Sequence, residues 1–126
     1  MDGLGYAAIA EYTLGNGRRA DILGLDGAGQ VTIVEIKSSR ADFNADRKWR
    51  EYLEYCDRFY FAVEPGFPMD LLPQEVGLIV ADSHGGSVVR ESDATPINGN
   101  RRRSLILGIA LTASRRLART FDEELP

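Results

Sequence analysis

An acid at Asp21 and an acid–lysine pair at Glu35 and Lys37 are the side chains of this chain best placed to do chemistry. Glu35 and Lys37 close the run Val31-Thr32-Ile33-Val34-Glu35-Ile36-Lys37, whose apolar and β-branched residues favour a strand. Strand side chains alternate between faces, so Glu35 and Lys37 project from the same side. A carboxylate beside an ammonium can hold a metal ion and steer the water it activates, which is equipment for hydrolysing a phosphodiester.

A register argument places Asp21 against that pair. Arg19 to Leu25 and Val31 to Lys37 read as two strands joined by Asp26-Gly27-Ala28-Gly29-Gln30, a glycine-rich hairpin signal. With the turn centred on Ala28, Leu25 opposes Val31, Leu23 opposes Ile33, Asp21 opposes Glu35 and Arg19 opposes Lys37. All eight then share one face, apolar near the turn and charged at the open end. A slip of one residue would turn Asp21 away from Glu35. Two carboxylates directly across a strand pair lie about 5 Å apart at Cβ and repel each other. A divalent cation between them removes the conflict, and carboxylate oxygens with retained waters suit Mg²⁺ or Mn²⁺.

The plainer reading makes these residues strand-end charges that pair with Arg19 and Lys37 in solvent, where ion pairs contribute little. The near-continuous apolar run before Glu35 argues against it, because such runs mark central, buried strands. Charges at the end of a buried strand need a partner or a task.

The elements that must position the site form an α/β pattern. Strands are expected over residues 5–14, 19–25, 31–37, 57–63, 76–81 and 87–91. A crossover helix is expected over 41–56, after Ser38-Ser39 as its N-cap region, with Ala45, Trp49, Tyr52, Leu53 and Cys56 as its apolar stripe. A final helix is expected over 102–120, packing on the sheet through Leu105, Ile106, Ile109, Ala110, Ala113 and Leu117, with residues 122–126 frayed.

Asp21 with Glu35-Ile36-Lys37 resembles the D…(D/E)xK signature of restriction-endonuclease-like nucleases. The longer segments GRRADILGLD, VTIVEIKSSRADFNADRKWREYLEYCDRFYFAV and LLPQEVGLIVAD resemble the MmcB family of bacterial DNA repair proteins, which belongs to that superfamily. The resemblance implies a mixed sheet built from a β-meander, a crossover helix and further strands. It implies a metal-dependent deoxyribonuclease with Asp21, Glu35 and Lys37 as catalytic residues. Asp21, Glu35 and the Ile36 backbone carbonyl would bind metal, with Glu11 a further candidate ligand or a solvent-facing strand acid. Arg18, Arg19, Lys48 and Tyr52 are the candidate DNA contacts, although Trp49 and Tyr52 read more readily as core than as base-stacking groups. The usual N-terminal helix is missing, because Met1 to Leu4 are too short to supply it. The C-terminal helix or a second subunit is expected to cover that face. The rival reading is a non-catalytic DNA-binding or scaffolding module within a repair complex.

Composition sets the remaining bounds. A chain of 126 residues, 44% hydrophobic and 27% charged, reads as one domain, 1–126, with its own core. It shows neither a membrane-spanning apolar run nor a signal-peptide pattern, so a cytoplasmic protein is expected. The single Cys56 fits a buried filler in a reducing compartment. A formal net charge of −4 gives no global pull toward phosphate. DNA contact would rely on local clusters such as Arg18-Arg19 and Arg101-Arg102-Arg103. The expected partners are DNA, other repair proteins and a second copy of the chain. Asp42 and Asp46 could hold a second metal, but Asp42 suits a helix first turn better. His84, without a second histidine nearby, does not suggest a zinc site.

Overall fold

The computed structural model describes residues 6–45 and 48–124. Six strands lie side by side in chain order: β1 (Ala7–Thr13), β2 (Arg19–Leu25), β3 (Val31–Lys37), β4 (Arg58–Val63), β5 (Gly77–Asp82) and β6 (Gly85–Arg90). The first three form an antiparallel meander, β3, β4 and β5 run parallel, and β6 returns antiparallel. The fold is therefore the expected α/β class with a mixed sheet and a C-terminal helix. The hairpin between β2 and β3 is tied by the Asp26 carboxylate, which accepts from the amides of Ala28 and Gln30. Gly29 takes the left-handed conformation there at φ 83°, which costs glycine little.

The two faces of the sheet differ. One carries the main core, including Leu23, Val31, Ile33, Phe59, Phe61 and Leu78, under the helical elements. The other carries a smaller cluster of Val34, Tyr60 and Ala62 with Ile22, Ile79 and Val88 against it, all on strands. The C-terminal helix thus joins the other helical elements and does not cover the second face.

The expected continuous crossover helix is broken. It becomes α1 (Arg40–Ala45) and a 3₁₀ helix over Trp49–Tyr55, with residues 46 and 47 outside the described set. In a 3₁₀ helix side chains at i and i+3 eclipse, so Trp49 and Tyr52 point inward together. Leu53 falls off that row and is 37% exposed, contrary to its expected place in the stripe. Trp49 packs edge-on to Phe61, which in turn meets Phe43 and Phe59 edge-to-face. The start of α1 behaves as expected: the Asp42 amide donates to Ser39 Oγ, and the Asp42 carboxylate accepts from the Ser38 amide.

Helix α2 (Gly99–Glu124) is longer than its apolar pattern suggested and runs through Asp122 and Glu123. It bears on β1 and the 3₁₀ helix. Gly108 lets it approach, since a Cβ there would collide with the Tyr12 hydroxyl. Leu105 is buried and Ile106 and Ile109 are partly buried, but Ala110, Ala113 and Leu117 are exposed. The helix packs on the rest of the chain mainly through its N-terminal half, so its later apolar residues point to solvent.

Its anchor is Asp57, 4% exposed just before β4. Arg102 grips the Asp57 carboxylate through two hydrogen bonds of 2.7 Å, and the amides of Val31 and Ile97 donate to the same oxygens. Burial alone would raise the Asp57 pKa, but Arg102 and the two amides outweigh it and hold the carboxyl below its usual range. A carboxyl held below its unfolded value contributes stability above that value and loses it as pH falls through the folded one. Stability is therefore expected to drop on acidification below the ordinary aspartate range. Arg102→Met should cost about 3–5 kcal/mol at neutral pH, by leaving a buried charge unpaired, and should weaken this acid dependence. Urea denaturation at several pH values measures both, and a loss under about 1 kcal/mol would show that Asp57 does not organise the fold.

Candidate active site

The ladder between β2 and β3 runs from Leu25↔Val31 to Ile22↔Val34, in the expected register. Beyond that pair the two carboxylates take over the backbone amides. The Asp21 amide donates to Glu35 Oε2 at 2.7 Å, and the Ile36 amide donates to Asp21 Oδ2 at 2.9 Å. The two acids are thus locked crosswise at the strand ends.

A backbone kink helps to set this up. Glu11, on β1, has φ 52°, a left-handed conformation that costs a non-glycine residue about 1–2 kcal/mol. The pairs Ala10↔Ile22 and Tyr12↔Ala20 flank it, so the kink faces Asp21. Ile9 and Tyr12 reach the main core, as do Leu23 and Ala20, so the face alternation reverses on both strands at this point. The expectation that Arg19 shares a face with Asp21, Leu23 and Leu25 and opposes Lys37 is therefore corrected. Arg19 is exposed and pairs with Thr13. Arg116 of α2 braces the kink, donating to the Ala10 carbonyl at 2.6 Å and to the Glu11 carbonyl at 3.0 Å.

Glu35 is 3% exposed and Lys37 8% exposed, on the main-core side of β3 with Val31 and Ile33. The Glu35 carboxyl is pushed up to about 7, and burial is the largest cause. The Asp21 charge works in the same direction, while the Asp21 amide, the Tyr52 hydroxyl and the Lys37 ammonium pull against it. Tyr52 is itself buried, stacks on Phe59 and donates to the Arg19 carbonyl at 3.1 Å.

The residues present fit a hard divalent cation. Each carboxylate gives one oxygen to an amide, the buried Glu35 also meets the Tyr52 hydroxyl and the Lys37 ammonium, and two adjacent carboxylates are an oxygen donor set suited to such an ion. Among the described residues no three acidic, histidine or cysteine side chains group around a metal position. Mg²⁺ commonly takes one or two carboxylates and fills its shell with water and substrate phosphate, so two suffice.

Arg18 forms an ion pair with Glu51 at 2.6 Å. Lys48 is exposed, and so is Glu11. The Ile36 side chain is 52% exposed, while its amide holds Asp21. Asp42 is engaged at the helix start, and Asp46 and Arg47 lie outside the described residues. His84 sits in an exposed turn. Burial pushes the Cys56 thiol up to about 12, as befits an unreactive filler. Arg116 was missed by sequence reading, since nothing in its helical spacing marks a brace for β1.

A family model described as DNA repair protein MmcB-like matches residues 1–124. The chain belongs to the MmcB-like family of DNA repair proteins. A solved structure, the SPO1766 protein of unknown function from Silicibacter pomeroyi, shares 41% sequence identity with this MmcB-like chain at a TM-score of 0.92. The match covers 98% of this chain and 84% of that one. No curated protein matches. Among the described residues no helix is long and apolar enough to cross a membrane.

Tyr52→Phe keeps the ring stacked on Phe59 but removes the hydroxyl that spans Arg19 and Glu35. It is expected to cost about 1 kcal/mol in chemical denaturation. Unchanged stability would show that the hydroxyl does not hold the site together.

Proposed function

We propose that this MmcB-like protein is a Mg²⁺- or Mn²⁺-dependent deoxyribonuclease of the restriction-endonuclease-like type, acting in DNA repair. The observation that carries the reading is the crosswise lock of Asp21 and Glu35, with Lys37 buried on the same side of β3 as Glu35. A structural ion pair does not need a buried acid and a half-buried one held together. A metal-assisted hydrolase does.

Asp21 and Glu35 would hold the cation, with the Ile36 carbonyl as a further ligand. Bound there, it would supply Lewis-acid polarisation of the scissile phosphate and a lowered pKa for the attacking water. The protein's own part is positional. The amides of Asp21 and Ile36 fix both carboxylates before substrate arrives, so no reorganisation is needed at the reacting phosphate. The Tyr52 hydroxyl also meets the Glu35 carboxylate. Lys37 orients or deprotonates the attacking water, or stabilises charge developing on the phosphorus. Arg19, exposed beside the site, is suited to a neighbouring phosphate, and Lys48 and Arg18 extend the basic edge. DNA and other repair proteins are its proposed partners, in the cytoplasm.

The test uses labelled single-stranded, duplex and branched DNA in Mn²⁺ and in EDTA, with a parallel calorimetric titration of Mn²⁺. Cleavage in Mn²⁺ is expected to fall roughly 10²-fold or more in Lys37→Ala. Mn²⁺ binding should survive that change and vanish in Asp21→Asn. DNA binding without metal binding or cleavage would replace this reading with a non-catalytic module.

A further inference from the structure

The outward side of α2 carries an apolar stripe that nothing in the described chain covers. Leu107 is 60% exposed, Leu111 45%, Leu117 58% and Phe121 59%. These positions recur at helical spacing, on the side opposite Leu105 and Ile109, which pack inward. After Arg116, the last residue of α2 that braces β1, every side chain from Leu117 to Glu123 is exposed. The end of the helix therefore overhangs the body. An isolated overhang with two large apolar residues has little to hold it in water, because most helical stability comes from packing.

The stripe is also symmetric along the helix. Leu107 and Phe121 lie equally far from Ser114 on either side, and so do Leu111 and Leu117. Two helices laid antiparallel and crossing at Ser114 would set Leu107 of each copy on Phe121 of the other, and Leu111 on Leu117. Charge follows the same symmetry. Arg101-Arg102-Arg103 open the helix and Asp122-Glu123-Glu124 close it, the reverse of what its dipole favours. Arg101 and Arg102 are used within the chain, by Glu54 and Asp57. Arg103 is exposed at the end of the stripe, with no ion-pair partner among the described residues. An antiparallel second helix would bring the acidic end of one copy beside Arg103 of the other at both ends.

We propose that α2 is a homodimerisation helix, pairing antiparallel with α2 of a second copy about a two-fold axis at Ser114. Such an interface is isologous and closes at two copies. Each overhanging end would rest on the anchored half of the other helix. The small Ser114 side chain at the crossing lets the backbones approach closely.

Light scattering of the full chain measures the mass, and cysteine cross-linking measures the register. The wild type should run at twice the chain mass, and Leu111→Glu/Leu117→Glu, with circular dichroism unchanged, at the single-chain mass. Under mild oxidation Ser114→Cys should form a disulfide-linked dimer, since Cys56 is buried and does not compete. Leu107→Cys should not, because its two copies would lie about 21 Å apart along the helix pair. A monomeric wild type would overturn the proposal, and would leave the stripe to a different protein. So would a dimer unaffected by the double substitution, or cross-linking through Leu107→Cys in preference to Ser114→Cys.

Discussion

The buried Asp57 carboxylate is the point at which the separate pieces of this chain become one structure. It receives the amide that opens β3, the amide of Ile97 in the approach to α2, and both arms of Arg102 within α2. Its own backbone bonds the Val31 carbonyl and the Thr95 amide. Parallel strands cannot be joined by a tight turn, so the start of β4 must be positioned by something other than a hairpin. Asp57 does this, and in doing so fixes the near end of β3 and seats the helix.

What is built at the far end of β3 depends on that rigidity. A carboxylate as buried as Glu35 is costly, and its neighbour Asp21 adds repulsion. The strained backbone at Glu11 adds to the cost. The chain offsets part of it with the Asp21 amide, the Tyr52 hydroxyl and Lys37 on the acid, and with Arg116 on the kink. Costs of this kind concentrate where a fold is committed to a task. The chain itself belongs to a family of DNA repair proteins.

Much of the frame was legible in the residues. The bounds of β2 and β3, and their register, follow from two apolar runs and the glycine-rich turn between them, and those features decide strand pairing locally. Asp21 beside Glu35 follows from the same register. The crosswise bonding of the two acids does not, because it requires the ladder to stop after Ile22, and a left-handed glutamate carries no signal in a sequence. The crossover helix reads as continuous because Trp49 and Tyr52 fit an α-helical stripe as well as a 3₁₀ row. Leu53 distinguishes the two, and only in the fold. Asp57 looked like a strand-opening acid, since its partner Arg102 lies far along the chain in a run of three arginines. The length of α2 was underestimated because an apolar stripe was taken to end where contact with the sheet ends.

The central claim is that Asp21 and Glu35 are held together to bind a divalent cation. Diffraction from crystals soaked in Mn²⁺, with the anomalous signal recorded, tests this most directly. The account predicts a manganese peak at the Asp21 and Glu35 carboxylates, absent from crystals of Asp21→Asn. Bare carboxylates with manganese bound elsewhere, or nowhere, would contradict it.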